Sequence, residues 1–183
     1  MRRFIWATSY VAGGLALGCF SAYALIQSSG IEHVESGTPW LSRAAAMADT
    51  SAFYVRAHYL MEGRLPPAPG QLTEATAETD GENRPLTASC IYRVASNGAL
   101  PRWWSLTATG SAVEGAPLQS TADSDTALRE PDGTVLITVS SLPQPGNWLK
   151  APEARRFSLL YSSLPQGGGV TTPPFTITRE ACP

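Results

Sequence analysis

The chain has one lysine, Lys150, and only two histidines, three cysteines and three methionines in 183 residues. Each scarcity excludes something. A Ser-His-Asp triad needs an imidazole held between a carboxylate and a nucleophile. His33 and His58 lie near no G-x-S-x-G pattern, so both read as ordinary polar or surface residues. The alternative for His33 is a stray divalent ion held at the membrane face with Glu32 and Glu35. A zinc centre needs three or four His, Cys or carboxylate ligands at short spacing. Cys90 and Cys182 are far apart and the histidines isolated, so no metal and no cofactor is expected. Phosphate-cradling glycine loops are also missing. Gly167-Gly168-Gly169 sits between prolines and reads as a turn. Charged residues make up only 15% of the chain, and long apolar runs are absent with one exception.

That exception is Phe4 to Ile26, which holds no charged residue. A helix of that length crosses a hydrocarbon core of about 30 Å. Arg2 and Arg3 precede it, and no further Lys or Arg occurs until Arg43, so the positive-inside bias puts the N-terminus in the cytoplasm. Three readings compete: a retained single-span anchor, which we favour, a signal peptide cleaved after Ala22-Tyr23-Ala24, and lipidation at Cys19. All three export the rest of the chain. Gly14 and Gly18 form a small-x-x-x-small face suited to close helix packing.

Two of the thirteen basic residues precede the span, leaving eleven against fifteen acidic beyond it, a formal charge of −4. Nucleic acid and anionic surfaces are poor partners for such a domain. The dominance of arginine over lysine is typical of a GC-rich bacterial genome, which makes the outer compartment the periplasm. There the even pair Cys90 and Cys182 is predicted to form a disulfide, with two unpaired buried thiols as the alternative. Closing a loop of about 90 residues contributes up to about 4–5 kcal/mol in the chain-entropy model.

The organisation read from the sequence is a cytoplasmic N-terminus (1–3), a transmembrane helix (4–26), a juxtamembrane stalk with a short helix (27–50) and a periplasmic β domain (51–183). Thr38-Pro39 is read as the cap of a short helix carrying Trp40, Leu41 and alanines 44 to 46. Asp49, Thr50 and Ser51 are cap candidates for a helix over 51–62, stopped by Gly63 and the prolines 66, 67 and 69. Beyond Gln71 come short alternating runs: 72–79, 86–94, 103–109, 135–139, 157–161 and 175–177. Asp80-Gly81 marks a hairpin. The region 110–130 reads as a long polar loop with one short strand. This texture predicts a mainly β fold, an antiparallel sandwich or jelly roll with a single transmembrane helix and one or two short helices.

Several ordered pieces resemble a known family. Phe53-Tyr54-Val55-Arg56-Ala57 resembles a leading "PYxRA" helix, and Thr79-Asp80-Gly81 with Arg84-Pro85-Leu86 a "TDSDGRPL" hairpin. Cys90 to Val94, Arg102 to Thr107, the turn Pro145-Gly146-Asn147-Trp148-Leu149 and Phe157 to Tyr161 follow in order, and the ending around Pro173 to Cys182 completes the set. From about Phe53 onward the chain resembles the bacterial domain of unknown function 1214 family. The resemblance implies a β-sandwich and no chemistry. Longer members of the family have a second β domain upstream, whose place here is taken by the anchor.

The aromatics are the remaining candidates. Trp103 and Trp104 are adjacent in a strand, so they point to opposite faces. Trp148 beside Asn147 suits a sugar platform, a protein-interface anchor, or a plug for the open end of the sandwich with Asn147 satisfying loop backbone groups. Asp123, Asp125, Glu130 and Asp132 form a solvated acidic loop, and paired carboxylates of glycosidase type would have to converge in space. The expected function is a non-catalytic envelope module that binds another membrane or periplasmic component through Trp103, Trp104, Asn147 and Trp148. A polysaccharide-binding module and an uncharacterised hydrolase are the alternatives.

Overall fold

A computed structural model describes residues 2–28, 32–33, 37–42, 52–61, 63–65, 71–110, 119–165 and 173–182. The chain divides into two compact units, Met1–Ile31 with Ala45–Pro66, and Glu32–Ala44 with Pro67–Pro183. The expected caps Asp49, Thr50 and Ser51, the alanines 44 to 46 and the glycines 167 to 169 lie outside the described residues.

The first unit is helical. Helix α1 (Arg2–Ser28) is 27 residues long, about 40 Å at 1.5 Å per residue. Its stretch Thr8–Ser28 is long and apolar enough to cross a membrane, and none of its side chains is buried within the protein. The feature is consistent with a membrane anchor or a signal sequence. Helix α2 (Ala52–Met61) closes as the glycine signal predicts. Gly63 adopts φ +69°, Gly63 N–H donates to Leu60 O at 3.1 Å, and Arg64 N–H donates to Tyr59 O at 2.9 Å.

The second unit is a β-sandwich. One sheet contains β1 (Glu32–His33), β2 (Trp40–Ser42), β3 (Thr73–Ala77), β9 (Phe157–Ser163), β5 (Trp104–Gly110) and β6 (Gln119–Asp123), in that spatial order. The other contains β10 (Phe175–Ala181), β4 (Ile91–Ser96), β7 (Leu136–Ser140) and β8 (Asn147–Lys150). Period-2 alternation turns Trp104, Leu106 and Ala108 of β5 and Leu159 and Tyr161 of β9 inward, against Tyr92, Val94, Ile137, Val139 and Leu149 of the facing sheet. A chain of edge-on rings binds the two layers: Trp40–Tyr161 at 6.2 Å, Tyr161–Phe175 at 5.8 Å and Phe175–Trp104 at 5.2 Å. The buried Trp40 indole N–H donates to Phe175 O at 2.8 Å, a hydrogen bond from one sheet to the other.

Two local expectations are corrected. Trp40 to Ser42 is a strand rather than the start of a helix, because Trp40 pairs with Ala77 and Leu41 with Thr76. The sheets are not wholly antiparallel, since β8 runs parallel to β7. Parallel neighbours usually need a crossover of a dozen or more residues. Here residues 141–146 suffice. The paired stretch is so short that the chain must return only about 10 Å, and Pro143, Pro145 and Gly146 (φ +81°) turn it back. The "GNWL" motif, expected as a turn, is therefore mostly strand.

Candidate functional site

Strand register assembles a row of outward side chains across the four-stranded sheet. Thr178 lies opposite Arg93, Arg93 opposite Thr138, and Thr138 opposite Trp148. Their sequence neighbours Ile177, Tyr92, Val94, Ile137, Val139 and Leu149 fill the core, so the row faces out. Arg93 is held by Glu180 at 2.6 Å. The Trp148 indole N–H donates to Ser140 O at 3.1 Å and to its Oγ at 3.2 Å, which fixes the half-buried ring along the sheet edge. An indole face, a guanidinium and two hydroxyls in line offer stacking and hydrogen bonding to a polar ligand.

Asn147 supports this row from beneath. Its side-chain oxygen accepts from Leu128 N–H at 2.7 Å, and its amide donates to Leu128 O at 2.8 Å and to Leu136 O at 2.9 Å. The carboxamide thus ties the loop before β7 to the start of β8. Leu128 and Leu142, beside these anchored atoms, are 66% and 70% exposed.

The two adjacent tryptophans sit in the six-stranded sheet. Trp104 is wholly buried and Trp103 is more than a third exposed. The structure therefore seats Trp148 with Asn147 in one sheet and Trp103 with Trp104 in the other. Around Trp104 lies a buried polar group that no sequence pattern announces. Trp104 pairs with Ser163, and Tyr161 follows on the same inward face. Trp104 Nε1, Tyr161 OH and Ser163 Oγ are buried without a hydrogen-bond partner of good geometry among the described residues. Burial pushes the Tyr161 phenol above its usual range, while the neighbouring Ser163 hydroxyl pulls the other way.

A second buried polar centre is the hairpin at Asp80. Asp80 is 1% exposed. Its Oδ2 receives Arg84 Nε and Arg179 Nε, each at 3.0 Å, and its Oδ1 receives the N–H groups of Glu82 and Arg84. Burial raises its pKa, but the Arg84 backbone and guanidinium, the Glu82 N–H and the Arg179 charge together outweigh it, so the net shift is downward. Arg179 also lies over the Tyr92 ring at 5.4 Å and donates to Pro85 O at 2.6 Å. Asn83 closes the turn at φ +60°, and Gly81 N–H docks on Ile177 O at 2.9 Å. The Cys90–Cys182 disulfide joins the start of β4 to the end of β10, with Cα atoms 4.2 Å apart and a sequence separation of 92. Cys19 is exposed and unpaired.

The other candidates resolve into local structure. Asp123 is lowered by the Thr126 hydroxyl and N–H and by Asp125 N–H, and Asp132 by the Thr134 hydroxyl and N–H. Both carboxylates cap turns. His33 pairs with Leu41 in β1–β2, and His58 is buried on α2 against Tyr59. Among the described residues no three His, Cys, Asp or Glu side chains group as a metal site. Sequence reasoning missed Arg93, Thr138 and Thr178. The alternation of 86–94 does turn Arg93 away from the core, but its partners Thr138 and Thr178 come from strands 45 and 85 residues further along the chain.

Comparison with known proteins adds a family and a fold. The family described as "Protein of unknown function (DUF1214)" matches residues 71–163, just over half of the chain. No curated protein matches. A crystal structure of an uncharacterised protein from Burkholderia cenocepacia is similar at 21% identity with a TM-score of 0.53, covering 87% of this chain and 39% of that one. A crystal structure of a Vibrio parahaemolyticus protein is similar at 15% identity with a TM-score of 0.56, covering 90% of this chain and 43% of that one. The chain spans about two fifths of the length of these solved structures, which share its fold.

Proposed function

Because the chain belongs to the DUF1214 family, whose members are described as of unknown function, we propose its role from its own residues: a membrane-tethered, exported module that binds another envelope component without catalysing a reaction on it. The observation that carries this reading is the combination of an apolar helix of membrane-spanning length with a domain closed by a disulfide. Disulfides persist in oxidising compartments. The arginines ahead of the apolar stretch of α1 favour a cytoplasmic N-terminus and a periplasmic sandwich at the inner membrane. The binding face is the outer row Thr178, Arg93, Thr138 and Trp148, with Leu128 and Leu142 at its border.

A second reading, a module for envelope polysaccharide, is favoured by the same row, because an aromatic face flanked by hydroxyls and a guanidinium suits a sugar ring.

One experiment separates them. The full-length protein and its Trp148→Ala variant are extracted from native membranes in mild detergent, and the soluble domain is run over isolated envelope polysaccharide. A stoichiometric protein lost at least about tenfold in the variant supports the accessory role, in line with the cost of removing a buried aromatic anchor. Retention on polysaccharide that disappears with Trp148→Ala supports the glycan reading. Recovery of both forms alone, with no retention, rejects both.

A further inference from the structure

Helix α2 has two apolar faces, and only one of them is packed. At 100° per residue, Val55, His58 and Tyr59 share one side, and all three are buried. Phe53, Tyr54, Ala57, Leu60 and Met61 share the opposite side. Phe53 is 77% exposed, Leu60 66% and Met61 55%, and Leu65 just beyond the helix is 84% exposed. A water-facing helix surface normally carries charge; here the apolar stripe is bordered by the exposed Arg56.

We propose that this face of α2 lies in the membrane interface, in the plane of the bilayer, with Phe53, Leu60 and Met61 immersed at the boundary of headgroups and acyl chains. The inference rests on the reading of α1 as a membrane span. Four observations select lipid as the occupant. α2 belongs to the same compact unit as α1 and is in contact with it, so its exposed face sits on the unit whose other helix the proposed function places in the bilayer. At 10 residues, about 15 Å, α2 is too short to cross a bilayer, which suits an interfacial placement. The segment 52–61 contains no acidic residue, and the exposed Arg56 at the border of the apolar stripe suits headgroup phosphates, while Arg64 lies over the Tyr59 ring on the packed side. Tyr54, 39% exposed, brings a ring with a polar tip to the same side, the chemistry favoured at that depth.

The test uses full-length protein with Cys19→Ser and the Cys90–Cys182 bond intact. Single cysteines are placed at Leu60, Arg56 or Leu15 and labelled with an environment-sensitive fluorophore. The protein is reconstituted in vesicles of phosphatidylcholine and phosphatidylglycerol carrying nitroxide quenchers at a shallow or a deep acyl position. The Leu60→Cys probe is expected to shift to the blue and to be quenched several-fold more by the shallow label. The Arg56→Cys probe should stay near water, and Leu15→Cys should be quenched by the deep label. Deep quenching at Leu15 with a water-like Leu60 probe overturns the inference and leaves the anchor standing. So does a Leu60 probe that is shielded from water but unquenched, which would mean that protein covers the face. Shallow quenching at Leu60 with none at Leu15 supports the interfacial helix and removes the span. Absence of quenching at both sites removes both.

Discussion

Asp80 is the residue whose replacement the sandwich should tolerate least. It neutralises Arg179 in a place where that guanidinium is mostly screened from water, and it holds the hairpin through two backbone N–H groups. Asp80→Ala leaves Arg179 without its partner and should cost about 3 kcal/mol, read from urea midpoints. The pH dependence follows from the downward shift of its pKa. A carboxyl whose folded pKa is depressed contributes stability fully above the ordinary carboxylate range. That contribution fades as pH falls through the lowered folded value. Unfolding followed from pH 7 to pH 3 should therefore show a loss below about pH 5 that Asp80→Asn flattens. Tyr161→Phe should behave in the opposite sense. Removing a buried hydroxyl without a well-formed hydrogen bond is neutral to stabilising, so thermal unfolding of the variant should occur at the same or a higher temperature. A clear drop in the transition would show that the hydroxyl has a working partner.

Individual elements show how far local pattern carries. The Asp80-Gly81 turn and the second half of the alternating run 86–94 are legible because period and turn chemistry lie within a few residues. The strand itself is β4 (Ile91–Ser96): Cys90 N–H donates to Thr87 O at 3.1 Å and turns the chain at 87–90, so the strand begins later than the alternating run. β2 is not legible: three residues are too few to display a period, and Thr38-Pro39 imitates a helix start. Only pairing with Ala77 and Thr76, more than 30 residues away, makes it a strand. β8 is hidden for a related reason. Pro145-Gly146 reads as a turn, and the parallel register against β7 is a tertiary fact. The candidate face was half legible. Trp148 stood out as a rare aromatic in a marked turn, but Arg93, Thr138 and Thr178 join it only through register across four strands. Asn147 is the element's fastening. Asn147→Ala should remove three hydrogen bonds to Leu128 and Leu136, cost about 1–3 kcal/mol, and speed amide exchange at Leu128 before that of the core strands β5 and β9.

For the whole molecule, the disulfide is the dominant single constraint on the sandwich. Reduction, or Cys90→Ala with Cys182→Ala, should lower its stability by about 2–5 kcal/mol, measured by denaturant unfolding with and without reductant, and the six-stranded sheet should unfold together with the four-stranded one because they share one core. An unchanged midpoint would assign the holding of β10 to Arg179, Asp80 and the Trp40–Phe175 hydrogen bond instead. The same bond, together with strand order, sets a schedule for assembly. β9, which begins at residue 157, is the strand that joins β3 to β5, and Cys182 is the only partner of Cys90. Neither layer can be completed from the first half of the chain. A polypeptide threaded across a membrane from its N-terminal side would wait, largely unfolded and with its thiol open, until its last strands arrived. The covalent step would then follow the arrival of β10.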